Sequence, residues 1–247
     1  MMKILFSPSE AKSELTTQPC LNENSFIFKE LFDKRKIVLK AFNDFVLNAD
    51  LKTLADFFEL KNEAQIKSFK KDLFAQKTCA AILRYTGVAF SYLNFKDLSA
   101  ASKQYVLENT LIFSNLFGPI LASDEVPNYK LKQGAKLENL NIESFYKKEF
   151  SKALDEFLKD EEILDLRAGF YEKFYTPKKE FFTYKFLKKG KVISHFAKAY
   201  RGILLRLAAK MSAKNNATLL ENLPANLRLL EMKKQGLKHE IVLEILE

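Results

Sequence analysis

The stretch FFTYKFLKKGKVISHFAKAYRGILLRLAAK, from Phe181 to Lys210, holds both kinds of element that set the fold. Phe181–Leu187 and Val192–Phe196 are rich in aromatic and β-branched residues. They bracket Lys188-Lys189-Gly190-Lys191, which predicts a β-hairpin with a basic tip. A helix follows and runs to about Ala213. Placed at about 100° per residue, Phe196, Tyr200, Ile203, Leu204, Leu207 and Met211 gather on one face. Lys198, Gly202, Arg206 and Lys210 recur on the other face with Arg201 beside them. Strand and helix thus alternate within thirty residues.

The same interleaving holds along the chain. Lys3–Phe6 reads as a short buried strand, broken by Ser7-Pro8-Ser9-Glu10. Ser25–Leu47 has helical apolar spacing, and two shorter helical patterns, Leu51–Leu60 and Asn62–Ala75, meet at a tight junction. Thr78 opens another helical pattern, and Ala101–Asn109 reads as a helix. Thr110–Phe113 is a buried strand, Pro127–Gly134 a loop or edge strand, and Ile142–Leu158 an amphipathic helix. Glu162–Leu166 is a strand, and Glu240–Leu246 is a strand or helix. The expectation is an α/β (mixed α+β) fold: one domain spanning 1–247, with a mixed sheet flanked by helices.

The 247 residues carry a formal net charge of +9, which favours anionic partners. The charge is local. Lys178–Lys214 holds eleven basic residues and one acid, Glu180, a local +10 that leaves −1 for the rest of the chain. A stripe of lysine and arginine suits phosphate. Gly202 inside it is a helix-weakening residue, plausible where a ligand or another backbone comes close. A membrane surface would need an exposed apolar face, which this helix spends on the core.

Cys20 and Cys79 are the only cysteines and His195 and His239 the only histidines. Two isolated thiols read as free cysteines in a reducing compartment with buried structural roles. No spacing suggests a metal site, and no cofactor is expected. No secretory signal or membrane-length apolar run is visible, so the expected location is cytoplasmic. No catalytic signature is present: no P-loop, nucleophile elbow or metal triad. One enzymatic reading remains, an enzyme acting on a nucleotide or nucleic acid. The Ser7–Lys12 loop would bind phosphate through Ser7, Lys12 and backbone N–H groups, with Glu10 as general base and Tyr129 as proton donor.

Six segments together resemble the YaaA family of peroxide-stress proteins. They are Met2–Lys12 (MKILFSPSEAK), Arg84–Val88 (RYTGV), Leu111–Gly118 (LIFSNLFG), Pro127–Gly134 (PNYKLKQG), Asp165–Tyr171 (DLRAGFY) and Ser194–Gly202 with Arg206. The resemblance runs from residue 2 to about 212. Three positions depart from the family pattern: Leu121-Ala122 stands where Arg-Pro is usual, Phe145-Tyr146 where Phe-Trp is, and Lys130 where an arginine is. The last keeps the charge and loses the bidentate fork. The resemblance implies a cytoplasmic DNA-binding protein of the peroxide-stress response, protecting DNA and helping limit intracellular iron, with a basic cleft. Its DNA- or phosphate-binding candidates are Lys12, Arg84, Lys130, Lys191, Lys198, Arg201, Gly202, Arg206 and Lys210. It also implies a helix–hairpin–helix element, whose best match is Leu51–Ala75 with contacts from Lys67, Lys70 and Lys71.

Overall fold

A computed structural model describes residues 2–137 and 140–246; the side chains of Ser194 and His195 lie outside the described part. At its centre is β1 (Met2–Phe6). It pairs in parallel with β4 (Thr110–Ser114) on one side and β7 (Glu162–Asp165) on the other. Beyond β7 come β8 (Phe181–Lys188) and β11 (Lys238–Ile245), both parallel. Antiparallel strands close both edges: β5 (Gly118–Leu121) beside β4, and β10 (Leu227–Gln235) beside β11. A short β9 (Lys191–Val192) folds back on β8 where β7 has ended. A second sheet joins β2 (Gln18–Cys20), β3 (Lys77–Ala80) and β6 (Glu125–Pro127), all antiparallel.

The sequence patterns explain these positions. TLIFS of β4 is buried along its whole length, as expected of a strand covered on both faces. Around the sheet lie α1 (Phe32–Asn48), α2 (Leu51–Phe58), α3 (Glu63–Phe69), α4 (Ala81–Arg84), α5 (Val88–Leu93), α6 (Ala100–Asn109), α7 (Ile142–Leu158), α8 (Ser194–Met211) and α9 (Asn216–Glu221). Side chains of Asp50, Asn62, Ser99, Asn141 and Asn215 accept the N–H three residues on, capping α2, α3, α6, α7 and α9.

The mixed α/β architecture matches the sequence reading, with local corrections. Lys77–Ala80 is a strand, not the start of a helix. The second hairpin strand is only Lys191–Val192, because α8 begins at Ser194. Residues 240–245 belong to a strand. Cys79 is buried, but Cys20 is exposed, against the expectation of two buried thiols.

The buried face of α8 is also rotated from the expected one. Ala199, Tyr200, Leu204, Leu205, Ala208 and Ala209 are buried, while Phe196 and Met211, at the ends of the expected apolar stripe, remain 49% and 42% exposed. The cause is α5, which lies along α8 and takes up part of the cationic face.

Candidate functional site

The chain runs from β1 to β4 on one side of the sheet, then returns through α7 to β7 on the other. Such a reversal opens a crevice at the carboxyl ends of the parallel strands. A cleft of about 320 Å³ opens there, walled by Ser7–Glu10 after β1, Leu166 and Ala168 after β7, Thr86–Phe90 at the start of α5, and Lys198 and Arg201 of α8.

Several contacts fix its walls. The Ala168 N–H donates to Ser7 Oγ at 2.8 Å, tying the loop after β7 to the loop after β1. Gly87 has φ of +103°, and a Cβ there would meet Ser9 Oγ at 2.7 Å. Only glycine permits this turn so close to the loop. The Gln133 N–H lies 3.4 Å from Glu10 Oε1, so the segment after β6 touches the loop as well.

On either side of Leu166, which lines the cleft, Asp165 and Arg167 form a buried pair. Arg167 Nε and Nη2 donate to the two carboxylate oxygens at 2.9 and 2.6 Å, and the Arg167 N–H adds a third bond at 3.0 Å. Arg167 Nη1 donates to the carbonyls of Tyr171 and Tyr175, and its guanidinium stacks 4.3 Å from the Phe113 ring centroid. The sequence marks Asp165–Tyr171 as one segment of the family resemblance but does not show that Asp165 and Arg167 pair. The spacing of an acid two residues before an arginine at a strand end was the available signal.

Arg201 stands in contrast. It lines the cleft half-buried and makes no hydrogen bond or ion pair among the described residues. Burial pushes its pKa down, and Asp165 opposes this only partly. That carboxylate already serves Arg167. Lys198 lines the same cleft and is exposed.

The other members of the expected stripe are placed differently. Gly202 is buried against α5, where a Cβ would fall 2.0 Å from the Ala89 carbonyl oxygen. Of the two expected close approaches, ligand or backbone, it is the backbone. Arg206 Nη1 donates to the carbonyls of Leu93 and Asn94, both at 2.9 Å, and Nη2 to Asp97 at 2.8 Å. It closes the carboxyl end of α5. Lys210 is exposed beyond that clasp, outside the cleft lining. The stripe is therefore divided by α5, not continuous.

Arg84 is fully buried: Nε donates to Val126 O at 3.2 Å and Nη1 to Ser13 O. Lys130 is half-buried near Lys12, and Lys191 is exposed on β9. Tyr129 is buried in a hydroxyl chain with Tyr85 at 2.8 Å and Ser114 at 2.7 Å. Burial raises its pKa well above the ordinary tyrosine value, so its proton is held tightly.

The α2–α3 unit is a helical hairpin whose turn residue, Glu59, is left-handed with φ of 54°. Its chemistry is mixed. The Gln65 N–H of α3 donates to Asn62 Oδ1, and Glu63 is the first residue of the helix. Lys67 pairs with Glu63, Lys70 donates to Ala49 O at 2.6 Å, and Lys71 is exposed.

The fold and the cleft define a mixed α/β protein with a crevice at the carboxyl ends of its parallel strands, faced by an arginine, Arg201, that has no hydrogen-bond or ion-pair partner among the described residues. The chain belongs to the family described as peroxide stress protein YaaA, whose model matches residues 2–231. It is similar to the uncharacterized protein Cj0984 of Campylobacter jejuni, 63% identical over 246 residues, which is 100% of both chains. It is also similar to a UPF0246 protein of Corynebacterium glutamicum, 31% identical over 84% of this chain and 85% of that one. A UPF0246 protein of Fusobacterium nucleatum is 29% identical over 87% of this chain and 88% of its own. Among the described residues no helix is long and apolar enough to cross a membrane, and no group of three His, Cys, Asp or Glu residues could hold a metal ion.

Proposed function

We propose that this peroxide-stress protein binds nucleic acid, with a backbone phosphate held in the cleft by Lys198 and Arg201. The observation that carries the reading is Arg201: an arginine half-desolvated at a cleft, beside a carboxylate already engaged by Arg167. Desolvating a cation without a partner is unfavourable, and a bidentate anion such as phosphate would repay it. The local +10 charge on Lys178–Lys214 supports an extended polyanion over a small neutral ligand.

Phe196 and Tyr92 stay 49% and 52% exposed on the two helices that frame the cleft. Aromatic rings beside cations suit unstacked bases, which favours single-stranded or opened DNA over plain duplex. DNA protection would follow from occupancy of the strand, and any effect on intracellular iron would be indirect.

Fluorescence-anisotropy titration of duplex, bubble and single-stranded DNA at several salt concentrations tests this. Lys198→Glu with Arg201→Glu should weaken binding at least about tenfold and flatten its salt dependence. Equal affinity in the double variant would reject the cleft as the phosphate site.

A further inference from the structure

Lys12 follows the loop that walls the cleft and is half-buried. Its Nζ donates to the carbonyls of Ser9 at 3.4 Å and Glu10 at 3.2 Å, both cleft residues. It lies 4.1 Å from the Tyr129 ring centroid and 5.5 Å from that of Tyr85. The two rings are held in place by the hydroxyl chain through Ser114. Among the described residues no carboxylate pairs with this amine. Its charged surroundings are mixed: Lys130 and Arg84 repel a proton on it, and Glu10 favours one.

A lysine used only as a structural pin is ordinarily compensated by a carboxylate or by several short hydrogen bonds. Here the amine has two backbone carbonyls, at 3.4 and 3.2 Å, and two tyrosine rings, but no carboxylate among the described residues. Burial first, then Lys130, lowers the pKa of Lys12 to about 7, so a large share of the amine is unprotonated at neutral pH. Desolvation beside a second cation is a recognised route to a nucleophilic lysine.

We infer that Lys12 is a carbonyl-trapping amine, acting on an aldehyde carried next to a phosphate that rests on Lys198 and Arg201 of the adjoining cleft. The amine nitrogen attacks the aldehyde carbon and forms a C–N bond. The two amine hydrogens leave with the carbonyl oxygen as water, and an imine remains. No oxidant or reductant enters this step. Two sources share the chemistry: the ring-opened deoxyribose of an abasic site, and a free sugar phosphate. The phosphate half rests on the anion-binding reading above; the amine half stands on the Lys12 cluster alone.

The test incubates full-length protein with sodium cyanoborohydride and one of three probes: ribose 5-phosphate, an abasic single-stranded oligonucleotide, or propanal. Reduced adducts are mapped by peptide mass spectrometry. Lys12 should be modified by a phosphorylated probe at least ten-fold faster than the exposed Lys40 and Lys61. Its rate should level off above about pH 7, while those of the exposed lysines keep rising. Whichever phosphorylated probe labels Lys12 faster identifies the source.

Lys198→Ala with Arg201→Ala should slow the phosphorylated probes about ten-fold and leave propanal unchanged. Lys12→Arg should abolish the labelled peptide, although wild-type mapping decides the matter even where that variant fails to fold. Labelling of Lys12 no faster than of Lys40 and Lys61 would overturn the inference, whatever the DNA titration gives. Preferential labelling that ignores the phosphate would remove the cleft half and keep the amine.

Discussion

The carbonyl oxygen of Ala89 sits where a methyl group on Gly202 would have to go, at a separation of 2.0 Å. This contact sets how closely α5 lies along α8, and so where Lys198 and Arg201 stand relative to the loop after β1. Gly202→Ala gains about 1 kcal/mol in helix propensity, yet forces two backbones apart. Overpacking of this kind costs about 1–3 kcal/mol, more where the obstacle is backbone. The expected outcome is a melting temperature lower by several degrees in thermal unfolding. Weaker DNA binding by the folded fraction should accompany it. An unchanged melting temperature would show that α5 slides freely.

Arg206 and Lys198 are eight residues apart on the same helix but should behave as opposites. Arg206 is committed to Leu93, Asn94 and Asp97. Arg206→Ala should destabilise the fold by about 1.5–3 kcal/mol, the scale for hydrogen bonds to a charged group, while the folded protein keeps most of its affinity. Lys198→Ala should leave stability within about 0.5 kcal/mol. It should lower the slope of log K against log salt by about 0.9, or about 0.7 on a single strand, one phosphate's worth. Denaturant unfolding paired with the salt titration separates the two residues.

The architecture was legible where strands were covered on both faces. Thr110–Phe113 and Lys3–Phe6 read as buried strands because each carries a three-residue apolar run, which is what such a position needs. Exposed or edge strands were not legible. Leu227–Gln235 alternates weakly and is almost wholly exposed, and Gln18–Cys20 is three residues long. For the site, local charge density pointed to α8, and two of its basic residues do face the cleft. A helical wheel cannot show that a six-residue helix covers half of the stripe. Nor could it show that Arg84 is buried, since an arginine that satisfies carbonyls from other segments looks like any surface cation until those segments are placed. The same holds for Arg35, buried in α1 with Nη1 donating to Phe117 O and Nη2 to Pro119 O at 3.2 Å.

The α2–α3 hairpin should contribute little to phosphate binding. Its second helix commits the Gln65 N–H to Asn62 and places Glu63 at the end that would meet an anion. Negative charge there competes with phosphate for the helix dipole. Lys67→Ala with Lys71→Ala should change DNA affinity by less than about twofold, under about 0.5 kcal/mol. A loss comparable to that of the Lys198/Arg201 variant would move the phosphate contact to the hairpin.

The pH dependence of stability gives an independent reading of Lys12. In the unfolded chain its amine holds a proton up to the ordinary value of 10.5; in the fold the value is about 7. Between the two, the unfolded chain binds more protons than the folded one. Stability from this site must then rise with pH across that window. Below about pH 7 both states are protonated, and the fold carries the full cost of a desolvated ammonium. Other groups titrate over the same range, so the useful quantity is the stability of wild type minus that of Lys12→Met. From urea unfolding at pH 6, 7, 8 and 9, this difference should move in favour of wild type, with a slope no steeper than about 1.4 kcal/mol per pH unit. A flat difference would mean that the amine keeps its proton as a surface lysine does. The neutral nucleophile required for imine formation would then be absent at neutral pH.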